Sequence, residues 1–253
     1  MPIKRHAIST GDPVHWTWLG RVGYIETMAL MENLRDAVER SDIRGMLLFL
    51  EHPRVITIGK RANFDDIIAD EAELAKRGFR VFSTDRGGMA TCHGPGQLIC
   101  YMVINLRVLG VGVRAFVLGI EQTIRNVLGS MGVEATRVDG MPGVWVHGKK
   151  IAALGMRVKN HVTSHGFALN VSYDLKAYDL IVPCGMIEMK ATNLAEHLKS
   201  VPVLSHLAQV LAEMFGHVFG VEMIKSEKTF TKTTEPTNII ESDAAARRKG
   251  EAA

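Results

Sequence analysis

A chain of 253 residues, 47% apolar and 23% charged, has the composition of a folded enzyme large enough to bury a core without disulfides or a structural metal. Its formal charge of +3 is diffuse, which argues against the clustered basic footprint of a nucleic-acid binder and leaves only mild steering toward an acidic protein partner. Three cysteines with no C-x-x-C, no secretory leader and no apolar run near the ~20 residues of a membrane span predict a soluble, cytoplasmic protein of a reducing compartment.

Alternation from Val14 to Leu19 predicts a first strand. Apolar residues at Ile25, Met28, Met31, Leu34 and Val38 recur at helical spacing, so Tyr24 to Val38 reads as an amphipathic surface helix. The unbroken run Met46 to Leu50 suits a strand buried on both faces, and Val55 to Ile58 a second strand after a polar break. Asp70 to Lys76 reads as a helix stopping at Gly78, followed by a strand from Phe79 to Phe82. Asp85 to Gln97, rich in glycine, reads as a loop. Beyond it come a strand (Leu98 to Leu106), a long helix (Val111 to Leu128), and three strands at Val144 to Val146, Ile151 to Val158 and His165 to Val171. A hairpin turn is expected at His147-Gly148-Lys149. A helix from Leu204 to Phe215 and an edge strand near Val221 close a single domain over 1–225, and the polar stretch 226–253 reads as a disordered tail. Without strict βαβ alternation, the fold class is α/β of the α+β type, a mixed sheet flanked by helices.

Three constellations carry chemistry. In Arg86-Gly87-Gly88-Met89-Ala90-Thr91-Cys92-His93 and the following Gly94-Pro95-Gly96-Gln97, glycines let backbone approach a ligand closely. Composition weighs this equally against a surface loop that needs positive φ. In Lys149-Lys150-Ile151-Ala152-Ala153-Leu154-Gly155, small residues along a strand vacate a groove, and a lysine pointing into it would lose hydration and become a usable base. An ordinary Lys-Lys pair is a solvated hairpin tip. In Pro183-Cys184-Gly185, a cysteine on a rigid turn is presented for nucleophilic attack, whereas an isolated cysteine is commonly a small buried hydrophobe. Gly166 and Ala168, on alternating positions around Phe167, again vacate space, while His52, His93 and His165 read as structural or substrate-loop residues and Cys100 as core.

Together these blocks, with Glu51-His52-Pro53, Thr57-Ile58-Gly59, Gly143-Val144-Trp145-Val146, Thr163 to Val171 and Ile181 to Gly185, resemble the lipoyl(octanoyl) transferase family of the biotin/lipoate protein ligase-like fold, from about Trp18 to Phe215. The resemblance implies that Cys184 takes an octanoyl group from acyl carrier protein as a thioester and that Lys150 lowers the thiol pKa and handles the proton. The group then passes to a lysine of a lipoyl domain or of glycine-cleavage H protein, with no cofactor. It also implies that Arg86, Gly87, Gly88, Met89, Ala90, Thr91, Cys92, His93, Ala153, Leu154, Gly155, Gly166, Phe167 and Ala168 bind substrate. The family loop carries a tyrosine where this chain has Cys92 and usually a glutamine where it has Met89, and Cys100 stands where a glycine is common. Rival readings are an ATP-dependent ligase, which has no need of the cysteine, a non-catalytic carrier-binding module, and a zinc site on Cys92, His93 and Cys100.

Overall fold

Burial on both faces is the reason the central strands read as unbroken apolar runs. In the computed structural model, which describes residues 13–182 and 190–226, β1 (Val14–Arg21) is followed by α1 (Tyr24–Glu39), β2 (Gly45–Glu51) and β3 (Val55–Ile58). α2 (Glu71–Lys76) leads into β4 (Arg80–Ser83), β5 (Ala90–His93) and β6 (Gln97–Ile104). After α3 (Leu106–Leu109) and α4 (Val113–Ser130) come β7 (Thr136–Val138), β8 (Met141–Val146), β9 (Lys149–Lys159) and β10 (Val162–Asn170), then α5 (Leu204–Phe219) and β11 (Met223–Lys225).

Eight strands form one sheet in the order β11-β1-β2-β6-β10-β9-β8-β7, and β4-β3-β5 form a second. β1 runs parallel to both β11 and β2, and the sheet from β2 to β7 is antiparallel. This is the mixed sheet that the pattern of elements predicts. α1 buries Thr27, Met31, Leu34 and Val38, spaced three or four residues apart, against Leu48, Leu50, Ile99 and Tyr101 on one sheet face. α4 and α5 cover the opposite face, where Phe116, Ile120, Ile124 and Leu211 meet Leu47, Phe49, Leu98 and Cys100. Each such buried Leu, Ile or Phe contributes about 2 kcal/mol over its exposed state.

One expectation needs correcting. The stretch from Asp85 to Gln97 is not loop throughout, because Ala90 to His93 pairs antiparallel with β3 in the register Val55↔His93 to Ile58↔Ala90. Four backbone partners outweigh the glycine-rich flanks. β3 lies outside the sheet that β2 belongs to and centres the small one. The hairpin turn falls where expected, at His147 (φ 48°) and Gly148 (φ 74°), the two-positive-φ geometry that matches strand twist. Residues 227–253 of the expected tail lie outside the described residues.

Candidate functional site

Small residues at cross-strand positions leave a trough in the sheet face that also carries α1. Ala153 pairs with Ala168 and Ala168 with Ile99, while Gly155 pairs with Gly166 and Gly166 with Tyr101. Since alternate residues of a strand face opposite sides, these six side chains share one face. Most of them are a methyl group or a hydrogen. Gly166 must be glycine, because a Cβ there would collide with the Cys100 carbonyl oxygen.

The glycine-rich segment forms the facing wall. Arg86 is buried, its Nε donating to Thr57 Oγ1 at 3.1 Å and its Nη2 to the Thr57 carbonyl at 2.7 Å. The Gly87 N–H donates to the Met156 carbonyl at 3.0 Å, tying the wall to β9. A Cβ on Gly155 would lie 3.0 Å from the Gly87 carbonyl oxygen, so close approach of these two segments requires glycine there. Between wall and trough lies a cleft of about 570 Å³, its open mouth included. Twelve of the fourteen residues expected to bind substrate line it: Arg86, Gly88 to Thr91, His93, Ala153 to Gly155 and Gly166 to Ala168. Gly87 contributes its backbone bond instead. Cys92 faces away: alternation along β5 turns its side chain into a separate cluster with Ile56, Tyr173 and Ala177, where its thiol donates to the Ala177 carbonyl at 3.2 Å. The expectation that Cys92 borders the substrate channel is therefore corrected. Burial pushes its thiol pKa up.

His165, read from the sequence as a structural or substrate-loop residue, lines the cleft, as do Tyr24, Thr57, Ile99 and Tyr101, which stood outside the sequence candidates. Thr57 was within reach of sequence reasoning through its Thr57-Ile58-Gly59 block. The histidines are neutral. His52 Nδ1–H donates to the Val22 carbonyl at 2.7 Å, leaving Nε2 to accept from the Tyr101 hydroxyl at 2.9 Å. Burial lowers its pKa to about 4 against that backbone bond. His93 falls to about 3 through burial and the neighbouring His52. His165 falls to about 3 through burial, then Arg86 and Arg157, although its Nε2–H donates to Asp85 at 2.7 Å. Unprotonated at neutral pH, His165 ties β10 to Asp85 and His93 ties β5 to Gln97, while His52 braces Tyr101 against the Val22 carbonyl.

The row of small residues continues through Gly143, which pairs with Ala153, and at its end stands Lys150. The Lys149–Lys150 pair is split by strand alternation. The Lys149 side chain is 46% exposed, whereas Lys150 is buried at 6% exposure. Its Nζ lies 4.8 Å from the centre of the Trp145 ring, and a Cβ on Gly143 would come within 3.2 Å of its Cε. Its backbone N–H donates to the Lys190 carbonyl at 2.9 Å, and its carbonyl accepts from Thr192 N at 3.0 Å. Asn170 Nδ2 holds the Thr192 carbonyl at 3.0 Å and its Oδ1 accepts from Gln97 Nε2 at 2.9 Å, while Gln97 Oε1 accepts from His93 Nδ1 at 2.7 Å. A continuous polar chain thus links the cleft wall to the strand that carries Lys150. Cys184 lies outside the described residues. The described chain reaches Val182, whose N–H donates to the Asp66 carbonyl at 2.7 Å, and resumes at Lys190 on Lys150. Among the described residues no three His, Cys, Asp or Glu side chains gather to hold a metal ion. Cys100 packs in the α4–α5 core, apart from Cys92.

Residues 23–216 match the family described as the lipoyl protein ligase A/B catalytic domain. The chain belongs to that family. An octanoyltransferase of Chloroflexus aurantiacus is 41% identical over 208 residues, covering 81% of this chain and 93% of that one. The fold is that of the lipoate protein ligases. A chain from the structure of a bipartite lipoate protein ligase and its E2 lipoyl domain from Thermoplasma acidophilum superposes with a TM-score of 0.66 at 17% identity, covering 87% and 88% of the two chains. Lipoate-protein ligase A bound with ATP superposes with a TM-score of 0.65 at 18% identity, covering 88% and 90%. Among the described residues of this family member, no helix is long and apolar enough to cross a membrane.

Proposed function

We propose that this member of the lipoyl protein ligase A/B family is an octanoyltransferase of lipoate biosynthesis. The reading rests on one observation: the small-residue trough ends at Lys150, whose own backbone bonds Lys190 and Thr192, where the described chain resumes after the stretch of sequence that holds Cys184. The name of the Chloroflexus relative supports the acyl group. An unbranched eight-carbon chain suits a trough floored by Ala153, Gly155, Gly166 and Ala168, where each buried methylene contributes about 0.8 kcal/mol.

In the proposed reaction the Cys184 thiolate attacks the thioester carbonyl of octanoyl-acyl carrier protein. A tetrahedral intermediate forms and collapses: the new Cys184 C–S bond remains, the carrier's C–S bond breaks, and the carrier sulfur takes a proton from the Lys150 ammonium and leaves as a thiol. The ε-amine of a lysine on a lipoyl domain or glycine-cleavage H protein then attacks the enzyme thioester. An amide forms, the Cys184 C–S bond breaks to leave its thiolate, and Lys150, neutral after the first half-reaction, takes up the proton that the amine gives up. The three buried histidines are too weakly basic to serve. Both half-reactions proceed from an activated ester, so no ATP and no cofactor are required, and the setting proposed for the reaction is the cytoplasm.

Incubation with octanoyl-acyl carrier protein in the absence of ATP, followed by intact mass measurement, tests this. A covalent octanoyl adduct that vanishes in Cys184→Ala is expected, and Lys150→Met is expected to slow its formation at least a hundredfold while leaving the thermal midpoint within a few degrees. Strict dependence on ATP, or an adduct that survives Cys184→Ala, would overturn the proposal in favour of a ligase. Carrier binding without any adduct would favour a non-catalytic module.

A further inference from the structure

Among charged residues on the buried faces of helices, Glu121 stands apart. It lies on α4 at 4% exposure, pointing at β8 instead of at solvent. Its Oε1 accepts from the Gly143 N–H at 2.9 Å, and its Oε2 pairs with Arg137 Nε at 3.1 Å. A buried carboxylate costs stability unless fully hydrogen-bonded, so its placement calls for a reason beyond packing. The backbone it grips supplies one. Gly143 sits at φ +139°, and a Cβ there would lie 2.7 Å from the Ala152 carbonyl oxygen and 3.2 Å from Lys150 Cε. The Lys150 stem therefore runs alongside a residue that must lack a side chain. Between Val144 and Trp145 the β8–β9 register shifts, and immediately after the shift the Trp145 ring stands beside the Lys150 ammonium at 4.8 Å. Trp145 is 5% exposed, and its indole N–H is buried with no hydrogen-bond partner among the described residues.

We infer that Trp145, with Gly143 held from behind by Glu121, forms a positioning clamp that fixes the Lys150 ammonium at the end of the trough. Ring face and glycine passage act on one side chain from two sides. A cation within ~6 Å of an indole face is attracted by its quadrupole, while the tethered glycine leaves the stem a defined path. Neither Trp145 nor Glu121 lines the cleft. The inference rests on the proposed role of Lys150 in acyl transfer.

The test is a double-mutant cycle on single-turnover octanoylation, read by mass spectrometry over long times. Trp145→Leu is expected to lower the rate constant about tenfold with half-saturating carrier concentration unchanged, and Trp145→Phe, which keeps an aromatic face, to stay within about threefold. In a Lys150→Met background the Trp145→Leu change is expected to have less than about a twofold effect, because the group it positions is gone. Equal losses in both backgrounds, or Phe falling as far as Leu, would overturn the clamp. Should Trp145→Leu not fold, Glu121→Leu and Glu121→Gln carry the same cycle. Gln keeps an acceptor for Gly143 and is expected to stay near the parent rate, whereas Leu is expected to lose about tenfold unless Lys150 is also replaced.

A second readout does not depend on turnover. With lysines labelled with ¹³C at Cε, the Lys150 signal, assigned by its loss in Lys150→Met, is expected at a ring-current-shifted position. That shift should collapse in Trp145→Leu and persist in Trp145→Phe. An unshifted signal in the parent protein would also overturn the clamp. If Lys150→Met leaves octanoylation unchanged while the shifted signal is present, the proposed role of Lys150 fails and the clamp geometry stands.

Discussion

Ala153 shows how much one side chain decides in the trough. It is a methyl group between Gly143 and Ala168 in the cross-strand row, and the row is open only because nothing larger stands there. In Ala153→Leu three extra carbons enter the space assigned to the acyl chain. Displacing about two methylenes of substrate is worth about 1.6 kcal/mol, so kcat/KM should shift from octanoyl toward hexanoyl carrier by roughly tenfold. Competition between carriers of six and eight carbons measures the ratio directly. An unchanged preference would place the acyl chain elsewhere. Gly166 is different in kind. A Cβ there collides with the Cys100 carbonyl on the neighbouring strand, so Gly166→Ala must part β10 from β6 and is expected to cost about 3 kcal/mol in urea unfolding, with substrate and without.

At the level of elements, each sheet face has its own work. α4 and α5 cover the face opposite the cleft, and Phe116, fully buried, holds them together with its ring centre 5.3 Å from Phe219 and 6.3 Å from Phe215. Phe116→Ala is expected to lower unfolding free energy by about 4 kcal/mol. The octanoylation rate per folded molecule should change less than about twofold, because the sheet lies between. A rate loss comparable to that of Lys150→Met would show that the two faces are coupled. The same division explains what the sequence could disclose. β2 and β6 are legible because burial on both faces writes a nearly continuous apolar run, and α1 because one face writes a helical period. β5 is hidden, since four residues between glycines carry too little pattern to declare a strand. With β5 unseen its phase is unseen too, and phase is what sends Cys92 away from the cleft while Thr91 and His93 enter it. The partition into two sheets is set by pairings between distant segments that no local pattern encodes. Glu121 escaped for a related reason: a glutamate in a helix ordinarily reads as solvated, and only the packing of α4 on β8 reveals its grip on Gly143. That Lys150 opens a strand of small residues, by contrast, was legible, because Ala152, Ala153 and Gly155 follow it directly in the sequence.

For the molecule as a whole, the seam between its two sheets is polar and its protonation is linked to stability. His52 enters the small sheet, His93 ends β5 and His165 belongs to β10. His52 and His93 stack edge-on at 6.1 Å, and Tyr101 joins His52 and His165 at 5.8 and 6.0 Å. The folded pKa values, about 4, 3 and 3, lie below the ordinary 6.5 of an unfolded histidine. The unfolded chain therefore binds more protons between those limits, and stability is full above pH 6.5 and falls as pH drops toward the folded values. Each buried histidine costs about 1.2 kcal/mol between pH 7 and 5.5, and the three together about 3 to 4 kcal/mol. Carboxylates titrate mostly below that window, so urea midpoints at pH 7 and 5.5 isolate the imidazoles. His93→Asn, which cannot take up the proton, should reduce the loss by about a third. Protonation falls where wall meets trough, so acid should open the cleft before it unfolds α4 and α5, and a fluorescent fatty acid should leave its site at a higher pH than the helical signal is lost. Coincident loss of both would mean that the small sheet and the α4–α5 face unfold as one unit, and a midpoint flat between pH 7 and 5.5 would mean that the seam is not where the imidazoles exert their cost.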